Sequence, residues 1–257
     1  MGHIGSCLSV VEILSAIYEV LRVEERGQSD RDRFVLSKGH AALALYATLV
    51  QAGFLDKSSL DKFCQDGSHV GVHPETGLRG VDFSTGSLGH GLSMACGAAL
   101  AARLQGSDRR VYCLISDAEC NEGSVWEAAM FAAHHKLGQL TTIVDINGQQ
   151  ALGLTRDVLD LANMQERWRA FGWHTIELDG HSTAKLRAAI HDCVEESVQP
   201  TIILARTKMG RGVPFMEQGR SVSRTELPVN PVNWHYLPMT EQEYELAMTA
   251  LEAVVFA

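Results

Sequence analysis

Four short runs of apolar residues, separated by helical patterns, constrain the fold of this chain more than any other feature. They span Arg110–Ser116, Thr141–Ile146, Trp173–Leu178 and Thr201–Arg206. Each run is continuously apolar, as expected of strands that are covered on both faces. The helical patterns around them span Ser9–Arg22, His40–Gly53, Leu88–Gln105, Ser124–Leu137, Asn163–Phe171, Thr183–Ser197 and Thr240–Val255. This alternation predicts an α/β fold, with a parallel sheet flanked by helices on both faces.

The whole chain, residues 1–257, is interpreted as a single domain. One segment, at about residues 209–238, breaks the alternation of strands and helices because it is rich in Gly and Pro. Long loops within compact domains are usually either functional or disordered. We therefore expect a long functional loop in this part of the chain.

Charge, cysteine content and the length of apolar runs exclude several classes of partner and location. The formal net charge is -9 and no block of Lys and Arg is present, which argues against nucleic acid or an anionic membrane surface as partner. The six cysteines form no Cys-x-x-Cys pair, so we expect a reducing, cytoplasmic compartment rather than disulfides or a zinc site. No apolar run reaches the roughly 18–20 residues that span a bilayer, and no signal peptide is visible.

Polar residues follow two consecutive predicted strands at the point where each strand ends. Asp117 follows the first strand and Asn147 follows the second. In open α/β folds, ligands bind at this edge of the sheet. A carboxylate and an amide supply two oxygen ligands there, and phosphate oxygens and water can complete the shell of Mg²⁺. The helix predicted from Ser124 would direct free N–H groups to the same place, which favours a diphosphate. Taken alone, Asp117 is better explained as a helix cap and Asn147-Gly148 as a turn, and it is their pairing across one strand–helix–strand unit that favours a ligand site.

Longer motifs carry a resemblance to a known family. Thiamine diphosphate enzymes carry Gly-Asp-Gly and, further along, a closing Asn; here Ser116-Asp117-Ala118 precedes Asp145-Ile146-Asn147, with thirty positions from Asp117 to Asn147. The chain resembles the transketolase family, in particular the N-terminal subunit of two-chain transketolases. The matching segments are Gly2–Gly5, Asp32–His40, Val72–Glu75, Thr85–Gly91, Glu122–Gly123, Lys136–Leu137, Asp179–His181 and Thr207–Val213.

The resemblance implies a thiamine-diphosphate-binding (PP) domain, with thiamine diphosphate and Mg²⁺, or another divalent cation such as Ca²⁺ or Mn²⁺, as cofactors. The implied metal ligands are Asp117, Asn147 and the backbone carbonyl of Gln149. The implied cofactor-binding residues are His40, Gly86, Leu88, Asp117, Ala118, Glu119 and Asn147. The implied catalytic residues are His3, His73 and His235, which line the substrate channel, and Glu122, at a subunit interface near the cofactor. Imidazole suits ketol transfer because protons must move near neutral pH.

The same resemblance implies substrates and a partner. The family transfers a two-carbon ketol unit from a ketose (phosphate) donor to an aldose acceptor. Its glutamate that protonates the aminopyrimidine ring lies on a second, pyrimidine-binding domain, and this chain ends at Ala257 before any such domain. We therefore expect a C-terminal partner subunit that carries that domain, an α2β2 assembly, and activity only in the complex.

The chain departs from the family pattern in two places. Ser116 and Ala118 replace both glycines of the diphosphate motif, and because both side chains are small we expect the cofactor to bind with equal or weaker affinity. Relatives carry a helix ahead of the Gly2-His3 motif, so we expect either a start further upstream or the loss of that helix.

Other functions stay open at this point. A related thiamine-dependent carboligase or 2-oxoacid dehydrogenase subunit shares much of the pattern, and a degenerate scaffold subunit would keep the fold without the cofactor. The segments Lys38–His40 and Thr85–Gly89 favour the transketolase branch, and Gly219–Asn233 indicates a specialised substrate. A dinucleotide-binding fold is disfavoured because no Gly-x-Gly-x-x-Gly follows the first strand.

Overall fold

A parallel sheet of five strands forms the centre of the molecule. The computed structural model describes residues 2–22, 30–195, 198–230 and 232–255. Within those ranges the strands are β1 (Arg33–Leu36), β2 (Val111–Ser116), β3 (Leu140–Ile146), β4 (Gln149–Gln150), β5 (Gly153–Leu154), β6 (His174–Asp179) and β7 (Thr201–Arg206). The sheet has the order β1-β2-β3-β7-β6 with parallel pairs throughout, and β4 and β5 form a separate antiparallel hairpin. The predicted fold class is confirmed.

Helices cover the sheet. In the described part of the chain they are α1 (Ile4–Leu8), α2 (Val11–Val20), α3 (Ala42–Gln51), α4 (Gly91–Leu104), α5 (Gly123–His134), α6 (Thr155–Val158), α7 (Met164–Ala170), α8 (Thr183–Glu195), α9 (Pro214–Glu217), α10 (Asn233–Tyr236) and α11 (Glu241–Val255). The predicted end of α8, at Ser197, lies outside the described residues. None of these helices combines the length and the apolar character needed to cross a membrane.

The two faces of the sheet pack in separate apolar layers. On β2, Tyr112 and Leu114 join the cluster that contains residues of α2, α3 and α8. Their neighbours Cys113 and Ile115 join the cluster that contains residues of α4, α5 and α7. Because successive strand residues point to opposite faces, a continuously apolar run is what a strand covered on both sides requires.

The first predicted helix, Ser9–Arg22, is present as α2, which begins at Val11 and ends at Val20. A further short helix, α1, precedes it and ends at Leu8. Between the two helices the Ser9 hydroxyl donates to the Asp145 carboxylate over 2.8 Å and lies 3.0 Å from the Ser6 carbonyl oxygen. A serine side chain bonded in this way competes with the helical hydrogen bonds, so α2 begins two residues later than predicted.

Strand β1 was not predicted as a strand. Its apolar stretch is short, since Phe34, Val35 and Leu36 follow Asp32 and Arg33. It lies at an edge of the sheet, where it pairs only with β2 among the described strands. The segment is therefore a strand because it pairs with β2, and its hydrophobic pattern alone does not predict one.

The predicted long loop, at about residues 209–238, contains two short helices, α9 and α10. Pro214 lies in the first turn of α9, where its missing N–H leaves no helical hydrogen bond unmade. The ring of buried Trp234 packs against that of Phe215, with 5.2 Å between the centroids. Both rings belong to an apolar cluster that includes Ala247 of α11. The structure thus adds two short helices to the predicted loop, because this packing joins residues distant in the sequence.

Helix α4 begins at a glycine that the packing requires. A β-carbon on Gly91 would lie 2.6 Å from the Cα atom of Ser37, just after β1. The Gly91 N–H donates to the Ser37 hydroxyl over 3.1 Å. The start of α4 therefore lies directly against the backbone that leaves β1.

Replacing Gly91 by Ala should lower the free energy of unfolding by about 1–3 kcal/mol, because the added carbon forces the backbone of a packed contact to move. Gly97→Ala, in the same helix, is the matched control: no heavy atom lies within 4 Å of the added carbon. That control should be stabilising by about 0.5–1 kcal/mol, since alanine favours the helix. Urea unfolding followed by circular dichroism measures both, and equal values for the two variants would contradict the packing argument.

Candidate active site

One cavity at the carboxyl edge of the sheet brings together most of the predicted site residues. Its volume is about 530 Å³, which lies in the usual range for small-molecule sites. The predicted residues that line it are His3, His40, His73, Gly86, Leu88, Ala118, Glu122, Asn147, Gln149 and His235. They come from the segment before α1, from the turns after β1, β2 and β3, from the connection between α3 and α4, and from α10. The fold thus joins residues as far apart as 232 positions.

Three histidines form a cluster in the cavity wall. His3 Nδ1 lies 3.2 Å from His235 Nδ1, which is hydrogen-bonding distance. The His40 ring stacks on that of His235, with 5.7 Å between centroids, and lies 5.1 Å from the His3 ring. Two ring nitrogens this close share one proton, so one imidazole donates and the other accepts.

Burial keeps these imidazoles neutral near pH 7. Desolvation lowers the pKa of His235 to about 4, and the nearby His3 and Lys38 lower it as well. Desolvation also lowers the pKa of His3 and places that of His40 well below its ordinary value. A neutral imidazole has one N–H donor and one acceptor, so each ring can take a proton from a hydroxyl group or return one.

His73 and the loop before α4 form a second wall. The Tyr46 hydroxyl donates to the His73 carbonyl over 2.9 Å, and the Thr85 hydroxyl donates to the Leu36 carbonyl over 2.5 Å. A β-carbon on Gly86 would lie 3.3 Å from the His73 ring, so glycine lets the loop approach that ring closely. These contacts attach the wall to α3 and to the end of β1.

Asp117 follows β2, as predicted, and its carboxylate is held by three donors. Oδ1 accepts from the Ala118 N–H over 2.9 Å, and Oδ2 accepts from the Gly148 N–H over 2.9 Å and from the Thr155 hydroxyl over 3.0 Å. Burial and, after it, the nearby Asp145 carboxylate raise the pKa of Asp117 to about 7. A divalent cation would favour the ionised form of such a group.

The three predicted metal ligands lie next to one another. Asp117, Asn147 and Gln149 all line a second cavity, of about 440 Å³, and the last two also line the histidine cavity. Asn147 Oδ1 accepts from the Gln149 N–H over 2.9 Å. Among the described residues no group of three His, Cys, Asp or Glu side chains is placed to hold a metal ion. A cation here would therefore depend on amide and backbone oxygens in addition to one carboxylate.

Glu119 lies beneath the cavity wall. Its side chain is fully buried, and its carboxylate accepts from the Ser37 hydroxyl, from the Gly89 N–H over 3.0 Å and from the Ser116 N–H over 2.8 Å. The side chain therefore points away from the cavity, and a contact of Glu119 with the cofactor stays a prediction that only its backbone can meet. The tight helical turn after β2 rotates the side chain into the core, where it joins three segments of the cavity wall.

Glu122 is exposed at the rim of the cavity, directly before α5. Asn121 lines the same cavity, so α5 begins at its wall. This agrees with the expectation that the helix N-terminus after Asp117 faces the ligand site.

Comparison with known proteins decides the family. The family model described as "Transketolase, thiamine diphosphate binding domain" matches residues 1–233. The chain belongs to the transketolase family. Among curated relatives, one of the subunits of the apulose-4-phosphate transketolase of Phocaeicola vulgatus is 36% identical over 250 residues, which cover 96% of this chain and 85% of the relative. The 6-deoxy-6-sulfo-D-fructose transketolase subunit SqwG of Clostridium sp. is 36% identical over 256 residues, which cover 98% and 89%.

Other transketolases of the comparison are longer than this chain. Human transketolase is 41% identical over 235 residues, which cover 89% of this chain and 37% of the human protein. A solved structure of transketolase from Pichia stipitis matches with a TM-score of 0.80 and 28% identity, over 99% of this chain and 41% of the yeast chain. The chain thus spans less than half the length of these two proteins.

The predicted family and the thiamine diphosphate-dependent transketolase type are confirmed.

The two residues that replace the glycines of the transketolase motif are accommodated locally. Neither Ser116 nor Ala118 has a positive φ, so neither position needs the conformational freedom of glycine. The Ser116 hydroxyl lies 3.3 Å from the Glu119 carboxylate and 3.3 Å from the Glu119 backbone nitrogen. Ser116 and Ala118 both line the histidine cavity.

Several lining residues were missed by the sequence analysis, and three of them, together with the predicted Gln149, carry unpaired polar atoms. Within the described residues, these buried atoms have no hydrogen-bond partner: Ser6 Oγ, Asn121 Oδ1, Gln149 Oε1 and Gln150 Nε2. An unpaired buried polar group costs about 1–3 kcal/mol, so such atoms indicate a place for a polar ligand.

The missed residues differ in whether the sequence held a signal for them. Ser6, Asn121 and Tyr236 each lie next to a predicted motif residue, so the neighbours of motif residues were the available signal. Leu152 and Leu159 also line the cavity, but the segment after β3 that carries them has no comparable motif.

In the free chain, His3, His40 and His235 should all titrate below their ordinary pKa of 6.5, and His235 near 4, because burial disfavours the imidazolium form. Between those values the unfolded chain binds more protons than the folded chain. The stability from these residues is therefore complete above pH 6.5 and is lost as the pH falls toward 4. Imidazole NMR shifts across this range measure the pKa values, with the urea-unfolded chain as control. Ordinary values in the folded chain would contradict the burial argument.

Proposed function

We propose that this chain is the thiamine diphosphate-binding subunit of a two-subunit transketolase, which transfers a two-carbon ketol unit from a ketose donor to an aldose acceptor. The observation that carries the proposal is the combination in one cavity of a neutral histidine cluster and four unpaired buried polar atoms. The names of the two relatives, subunits of split transketolases, support it.

The residues at the carboxyl edge of the sheet fit a divalent cation and a diphosphate. Asp117 contributes a buried carboxylate, and Asn147 and the Gln149 backbone contribute neutral oxygens, a donor set that suits Mg²⁺ with phosphate oxygens and water. Ala118, Gly86, Leu88 and His40 line the adjoining cavity and would contact the rest of the cofactor. Thiamine diphosphate, when bound, supplies the carbon chemistry of ketol transfer, while the protein supplies binding and orientation.

The histidines would act on the sugar. His3, His73 and His235 lie in the cavity with His40, and three of the four belong to one cluster. Since burial keeps the cluster neutral, its rings retain acceptor nitrogens that can orient a sugar hydroxyl by hydrogen bonding. An anionic sugar is favoured because the two relatives are named for a sugar phosphate and a sulfo sugar.

A partner subunit would complete the site. Two relatives of similar length carry names of transketolase subunits, and this chain spans 37% of human transketolase. We infer that a second chain with the pyrimidine-binding domain pairs with this one as α2β2, with exposed Glu122 near the contact. A single PP domain over residues 1–257 and a cytoplasmic location complete this proposal; the six cysteines, all unpaired, agree with a reducing compartment.

The first test is calorimetry on the chain purified from its native host under mild conditions. Thiamine diphosphate should bind with Mg²⁺ and bind far more weakly without it. Binding followed by ketol transfer from a ketose phosphate supports the proposal. Binding without ketol transfer favours a carboligase or a 2-oxoacid dehydrogenase subunit. Absence of binding with the partner present leaves a scaffold subunit on a transketolase frame.

Asp117→Asn should raise the dissociation constant for Mg²⁺ by more than about 100-fold, because a lost ligand charge outweighs the 10–100-fold effects typical of outer-shell residues. Asp108→Asn, an exposed carboxylate on the far edge of the sheet, is the matched control and should leave the constant unchanged. Mg²⁺ titrations with saturating thiamine diphosphate measure both. Equal Mg²⁺ dissociation constants in the two variants would show that Asp117 does not bind the metal ion.

The native complex should contain a second, different chain in equal amount, because the cavity needs a further domain to cover the cofactor. Size-exclusion chromatography with light scattering, followed by mass spectrometry of the peak, measures mass and composition. A complex that contains this chain alone, and that still transfers ketol units, would refute the proposal that a partner subunit is required.

A further inference from the structure

The carboxylate of Asp145 joins four segments of the chain at the carboxyl edge of the sheet. Asp145 is fully buried on the central strand β3, in register with Ser116 of β2. Side chains from four different places donate to this one carboxylate: Ser9, Lys38, Asn147 and Thr207. The four donors follow α1, β1, β3 and β7, so Asp145 connects most of the turns that surround the site.

The charge of Asp145 is compensated by Lys38. Both side chains are fully buried, and the Lys38 ammonium group forms an ion pair with Asp145 Oδ2. An ammonium group has donors only, and the Ser9 and Thr207 hydroxyls and the Asn147 amide also donate to this carboxylate. Both carboxylate oxygens of Asp145 therefore act as hydrogen-bond acceptors.

This restriction determines which way the Asn147 amide faces. Asn147 Nδ2 donates to Asp145 Oδ2 over 2.9 Å, while Asn147 Oδ1 accepts from the Gln149 N–H over 2.9 Å. Asp145 offers acceptors only and the Gln149 N–H is a donor only, so a flipped amide would lose both bonds. A carbonyl oxygen has a second lone pair, and Oδ1 keeps it for a ligand.

We propose that Asp145 is a positioning residue: it orients the Asn147 side chain so that the amide oxygen is presented to a divalent cation. The inference rests on the proposed function, in which Mg²⁺ binds together with thiamine diphosphate. Asp145 acts through Asn147, which lines the metal cavity with Asp117.

A purely structural account explains this arrangement less well. A buried ion pair such as that between Lys38 and Asp145 must offset the loss of water around both charges, and apolar residues of similar size are often as stabilising. An acceptor is needed here for a different reason, because only an acceptor group can hold the NH₂ end of Asn147. Metal sites commonly hold their ligands through such second partners.

The test compares Asp145→Leu with Asp32→Leu. Asp32 is also buried and paired with an arginine, Arg22, and it accepts from the Arg110 N–H over 2.7 Å. It lies at the amino edge of the sheet, away from Asn147. Each substitution removes one buried carboxylate from an ion pair, so both should destabilise the fold, but only the first removes the acceptor for Asn147.

Two quantities are measured on the full chain together with its copurifying subunit. The first is the Mg²⁺ dissociation constant by calorimetry, with saturating thiamine diphosphate. The second is the NMR signal of the Asn147 side-chain NH₂ group without metal, assigned by its loss in Asn147→Ser. We expect Asp145→Leu to raise the dissociation constant by about 10–100-fold. We also expect it to remove the protection of the NH₂ group from hydrogen exchange, while Asp32→Leu changes neither.

Equal Mg²⁺ constants in the two variants, with wild-type NH₂ protection in both, would overturn the positioning role of Asp145. If the wild-type complex does not bind Mg²⁺ with thiamine diphosphate, the proposed function fails, and the NH₂ signal alone then decides whether Asp145 orients Asn147.

If Asp145→Leu fails to fold, the double variant Lys38→Met with Asp145→Leu replaces it, because removing both partners leaves no uncompensated buried charge. That variant should fold and should still bind Mg²⁺ about 10–100-fold more weakly than the wild type. Wild-type affinity in the double variant would refute the proposal.

Discussion

The buried carboxylate of Asp145 is the constraint on which the carboxyl edge of the sheet depends. Parallel strands end at one edge, and the turns that follow them carry polar groups which need partners away from water. Asp145 supplies acceptors to donors that follow β1, β3 and β7. Glu119 does the same for the turns after β1 and β2 and for the loop before α4. Two buried carboxylates thus convert flexible turns into the walls of a cavity.

The site contains groups that lower the stability of the ligand-free chain. Its wall includes buried polar atoms without partners in the described chain, and Asp117 has a raised pKa because burial disfavours its charge. Groups of this kind cost free energy until a ligand satisfies them, which is a common property of functional sites. The neighbouring histidines show the complementary effect, since desolvation removes their charge and leaves neutral donors and acceptors.

The proposed division of the site between two chains agrees with the extent of this one. The described residues supply the groups expected to hold a diphosphate, a cation and sugar hydroxyls, all along one edge of one sheet. Longer transketolases align with this chain over only 37–41% of their length in the human protein and the yeast structure. The relatives named as transketolase subunits have an extent similar to that of this chain, which supports the proposed partner.

The sequence by itself determined the fold class, most strand and helix positions, and the residues brought together in the cavity. Continuous apolar runs have one stable solution, a sheet covered on both faces, and the ends of such strands must meet at one edge. The tertiary structure decided the rest. Strand β1 exists because β2 pairs with it, and α10 exists because Trp234 is buried against Phe215. Glu119 was expected to contact the cofactor, yet a single helical turn directs its side chain into the core. Residue spacing indicates which strand end a side chain follows, whereas only packing determines where that side chain points.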